Sequence, residues 1–93
     1  MTMAVSYGKR LMDAFFAEGN SFRARNEYAE ASVMDAMESA VNNVMHGLEG
    51  AEVRSRVVQH VMLVLDDERI ALSDGERAAY AYALDVIETV PLT

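Results

Sequence analysis

Histidine is the usual general base and a common metal ligand, and this chain has two, His46 and His60. Neither stands at motif spacing. There is no His-Glu-x-x-His, and no glutamate lies three residues before either histidine, as a carboxylate-bridged di-metal bundle requires. Both are read as structural or surface histidines. Asp66, Asp67 and Glu68, with Asp74 and Glu76 across a short gap, could offer oxygen ligands to a divalent cation, but the acidic-then-glycine order of an EF-hand loop is not met. The reading is a solvated acidic loop. Gly8-Lys9 lacks the upstream glycine of a phosphate-binding loop. The absence of cysteine removes thiol nucleophiles, zinc-thiolate sites and disulfides together. A domain of 93 residues also has little room for both a core and a substrate cleft. The expectation is a protein that is not an enzyme, with no catalytic residue, no metal and no cofactor.

Charge narrows the partners. The chain carries 15 acidic and 8 basic side chains, net -7. Lys9, Arg10, Arg23 and Arg25 outnumber Asp13 and Glu18 in the first 25 residues, so the acidity belongs to the remainder. Such a body repels nucleic-acid phosphates and favours basic protein partners. The candidate partner-binding set is acidic: Glu27, Glu30, Asp35 and Glu38 on one helix, with Asp66, Asp67 and Glu68. An acidic helix face can occupy a basic groove that normally holds nucleic acid. Short, acidic, motif-poor helical chains are typical of phage or mobile-element inhibitors and adaptors, and that general character sets the functional expectation. The alternative is a small helical DNA-binding regulator. Lys9-Arg10, Arg23-x-Arg25 and Arg54-x-Arg56 supply basic pairs, and the first two flank a helix break. Against it, the candidate second helix opens with Glu27 and Glu30 where groove-reading residues would stand.

The elements that must position these residues read as all-α, either a small four-helix bundle or a compact orthogonal arrangement, in a single domain over residues 1–93. Tyr7, Leu11 and Phe15 at steps of four predict a first helix over 6–18, ended by Gly19-Asn20. Val33, Met37, Val41, Val44 and Leu48 mark a second over 21–46, the longest, followed by a tight HGLEG connection. The valine-rich run AEVRSRVVQHVMLVL predicts a third over 51–66, around which the others should pack. Its β-branched content admits a strand, but the stripe at 53, 57, 61 and 64 is helical and no hairpin signal adjoins it. Ser73-Asp74-Gly75-Glu76 is a capping box that opens a fourth over 74–90, and Pro91 ends it.

Some apolar residues fall off these stripes. Leu63 projects from the polar side of its helix, Phe16 sits beside the core-facing Phe15, and Met34 and Met45 lie at the edges of the second seam. These four are the candidate self-association residues, and a homodimer is expected. The first sixteen residues show no signal-peptide pattern and no run is long enough to span a bilayer, so the expected location is cytoplasmic and away from membrane.

Overall fold

A computed structural model of the chain describes residues 5–93; the first residues of the stretch read above for a signal peptide lie outside them. The described residues form four helices and no strand: α1 (Tyr7–Ala24), α2 (Tyr28–Val44), α3 (Gly50–Asp66) and α4 (Asp74–Thr89). The all-α expectation holds, and the valine-rich run is helical throughout.

Ser6 caps α1, its hydroxyl accepting from the Lys9 amide at 3.2 Å. Two sequence expectations about this helix are corrected. Gly19 and Asn20 do not end it. It continues to Ala24 and turns through Asn26, whose left-handed backbone (φ 61°) needs no glycine because asparagine tolerates that region. Nor is the second helix the longest, at 17 residues against 18 for α1, since it starts only at Tyr28 and ends at Val44, leaving His46 exposed in the following turn.

Gly19 lies inside a helix for a packing reason. A Cβ there would sit 3.5 Å from Met34 Cβ and 3.1 Å from Asp35 Oδ1, and at Gly8 it would sit 2.7 Å from Met45 Cβ. Two missing side chains on one face of α1 let it lie close along α2, antiparallel to it. Every helix touches the other three, and this close approach gives α2 the most extensive contacts of the four, above all with α1. The valine-rich α3 is therefore not the centre. It runs antiparallel to α2 and α4 and buries only Val53, Val57 and Val61, while Met62, next to the last of these in sequence, is exposed. Apolar density measures how much a helix can bury, not where it stands.

Leu11 and Phe15 from α1, Met34, Met37 and Val41 from α2, the three α3 valines, and Ala83 and Ile87 from α4 make one core, with no buried polar side chain among the described residues. Each fully buried large side chain contributes roughly 1.5–3 kcal/mol. The molecule measures 45 × 29 × 19 Å, and after α1 it is α4 that α2 contacts most. No described helix is long and apolar enough to cross a membrane.

Candidate interaction face

The acidic residues do not assemble into one strip. On α2, Asp35 is held by both Nη1 contacts of Arg23, at 2.8 and 3.0 Å. Glu27 pairs with Arg25 at 3.1 Å. Glu30 is half-buried against Gly75 at the start of α4. Glu38, also half-buried, has no ion pair among the described residues. Asp66, Asp67 and Glu68 sit where α3 ends, and Asp67 is clipped to Arg69, whose side chain and backbone amide hold its carboxyl below the usual range. No three histidine, aspartate or glutamate side chains among the described residues gather closely enough to hold a metal.

The basic pairs are also divided by the fold. Arg54 turns inward to donate to the carbonyl of Val90 at 2.5 Å and to Tyr7 Oη at 3.2 Å. Arg10 donates to the carbonyl of Pro91 at 2.6 Å. The two guanidinium groups stack on the Tyr7 ring, at 5.3 and 5.8 Å; Arg54 gathers the last carbonyls of α4, where the helix dipole is negative, and Arg10 holds those of Pro91 and Leu92 just beyond it. This clamp was not legible in sequence, because its partners lie some 36 and 81 residues away along the chain. Only Arg56 of the Arg54-x-Arg56 pair faces solvent, with Glu52 at 3.8 Å.

Of the four self-association candidates, Met34 is contradicted. It is fully buried, because Gly19 lets α1 close over it. Met45 is half-buried over Gly8. Phe16 and Leu63 are exposed, at 52% and 63%. Comparison with family models, with curated proteins and with solved structures gives no match. What the surface can do is therefore read from its own geometry.

The geometry ties Phe16 to Leu63. Gly8 faces Met45 and Gly19 faces Met34, so the antiparallel register brings Phe16 level with Met37 and Glu38. On the other flank of α2, Ala40 and Val44 meet Val57 and His60 of α3 around a pocket of about 190 Å³, with Arg56 on its wall. One turn further along both helices, Leu63 comes level with Ala36 and Met37. Carried along these two registers, Phe16 and Leu63 fall at about the same height on the two sides of α2. Between them the outward side of α2 presents exposed Ser32, Ala36, Ser39 and Asn42, with Tyr28, 62% exposed, at its start. The one carboxylate within this strip, Asp35, is neutralised by Arg23. Sequence periodicity finds Phe16 and Leu63 as off-stripe residues. Their common height emerges only from the two interhelical registers.

Proposed function

We propose that the chain is a non-enzymatic interaction module, an inhibitor or adaptor that works by seating the α2-centred face on the surface of another protein. The observation that carries this reading is the grouping of Phe16, Leu63 and Tyr28, the three most exposed large apolar side chains of the helices, around a small-residue strip whose one carboxylate is neutralised. Aromatic and aliphatic anchors beside short side chains are what a docked surface uses. The anchors supply buried area, and serine and alanine lose little side-chain entropy when covered. The net charge of -7 biases the choice of partner toward basic proteins and quickens encounter with them. The acidic groove-filling form of the mechanism is weaker than the sequence suggests, because Glu27 and Asp35 are already engaged by arginines. The DNA-binding alternative loses the same arginines to those pairs.

The test is capture of a defined binding protein by the purified chain, compared with capture by Leu63→Lys and by Glu68→Gln, with helicity checked by circular dichroism. Binding lost in the first variant and kept in the second supports the reading. A shift of random duplex DNA at physiological salt that disappears in Arg23→Ala would replace it with the regulator.

A further inference from the structure

The two flanks of α2 are complementary to one another, and from this we infer that the surface that fits the α2-centred face is the same face of a second copy of this chain. The inference rests on the docking face proposed above and deepens it: the face self-associates, and another protein that docks there does so in competition with the second copy.

On the α1 flank stands a projection, Phe16, beside a carboxylate, Glu38. On the α3 flank lies a recess of about 190 Å³, lined by Ala40, Asn43, Val44 and Val57 and bordered by basic Arg56 and by His60. An apolar cavity of about 150 Å³ already accommodates a benzene ring, so this recess has room for a phenyl group. A two-fold axis lying along α2 exchanges left for right without changing height. It therefore sets the α1 flank of one copy on the α3 flank of the other. Phe16 then meets the partner's Leu63 at its own level. Helical side chains lean toward their helix N-terminus, and the N-terminus of α1 points toward the C-terminal half of α2, so the ring is carried toward the partner's recess. Glu38 comes nearest in level to the partner's His60, with the partner's Arg56 about a turn further along. The same operation makes every one of these contacts twice, as an isologous interface requires.

Charge argues for this face in particular. Two molecules of net charge -7 repel over most of their surfaces, and the strip from Tyr28 to Asn42 adds no net charge to the contact. Size agrees as well. A stable interface takes about 800 Å² from each partner, a small part of the 5904 Å² that the molecule exposes. With α2 parallel to its mate, both copies place Asp66, Asp67 and Glu68 at the same end, doubling the negative charge there.

Sedimentation equilibrium of the full chain at micromolar concentrations should return twice 10.3 kDa. Phe16→Glu and Leu63→Lys, both at exposed positions, should return the single-chain mass with unchanged helicity. Glu38→Lys should weaken dimerisation by about tenfold or more, and adding His60→Glu to it should restore part of the loss, since the new lysine then faces a glutamate. That rescue distinguishes a direct contact from a fold defect in any one variant. A single-chain mass up to about 100 μM overturns the inference. If capture of another protein still depends on Leu63 in that case, the docking role survives its loss. A dimer indifferent to Phe16, Leu63 and the charge swap places the contact elsewhere and overturns the inference, leaving the docking role to the capture experiment.

Discussion

The two glycines of α1 look alike in sequence and have opposite consequences when given a side chain. At Gly8 the added methyl meets Met45 Cβ at 2.7 Å, an atom fixed by the α2 backbone, so one of the two helices must shift. At Gly19 its nearest neighbours are Asp35 Oδ1 at 3.1 Å and Arg23 Nη2 at 3.2 Å, the mobile ends of an exposed ion pair that can rearrange. Gly8→Ala should therefore destabilise by about 1–3 kcal/mol through overpacking. Gly19→Ala should stay within about 1 kcal/mol of the parent, because the helix propensity gained by alanine offsets a weakened surface pair. Urea denaturation of the two variants decides this, and equal losses would mean that both glycines are held by backbone contact. The same pair explains what sequence reading missed. Gly-Asn after a run of helical periodicity carries every local mark of a helix end, and only the proximity of α2 shows that Gly19 is a contact. Met34 was misplaced by the same omission, since it is a seam-edge residue until α1 closes over it.

At the scale of one element, α4 is tied at both ends by different means. Its start was fully legible, because a capping box is local: Ser73 Oγ accepts from the Glu76 amide at 3.2 Å, and Glu76 Oε1 accepts from the Ser73 amide at 2.9 Å. Its end depends on Arg54 and Arg10, which no local pattern announces. The cap makes a pH prediction. The backbone amide of Ser73, and then its side chain, hold the Glu76 carboxyl below its ordinary 4.5. A carboxyl depressed in the folded state stabilises the fold fully above its unfolded value, and that contribution is lost as pH falls through the lower folded value. Thermal midpoints of the parent should fall as pH drops from about 5 to about 3, and in Glu76→Gln the fall should be smaller, because glutamine keeps an acceptor that does not titrate. Identical acid limbs would assign the loss to other carboxylates, with Asp67 the first candidate, since its contact with Arg69 depresses it in the same direction.

For the whole molecule, the helices were readable from apolar spacing and capping chemistry, while their hierarchy was not. Density of apolar residues pointed to α3, and close backbone approach gives the central place to α2. The interaction face follows the same division. Phe16 and Leu63 stand out as residues off their stripes, but their equal height across α2 depends on two registers that are properties of the assembled bundle.

The three-residue turn at Arg25–Glu27 also sets an order in time. Closing it costs little chain entropy, and the closure immediately brings α1 and α2 into contact along their length, whereas α3 and α4 are brought in across longer links at 45–49 and 67–73. The helical hairpin should thus be the part already formed at the folding barrier, with the other two helices docking afterwards. In stopped-flow measurements Leu11→Ala should slow refolding, while Ile87→Val should leave refolding nearly unchanged and hasten unfolding. A turn that reads as a mere connector is then the place where the search through conformations is cut shortest, and lengthening it with flexible residues should slow the appearance of the native state more than it lowers its stability.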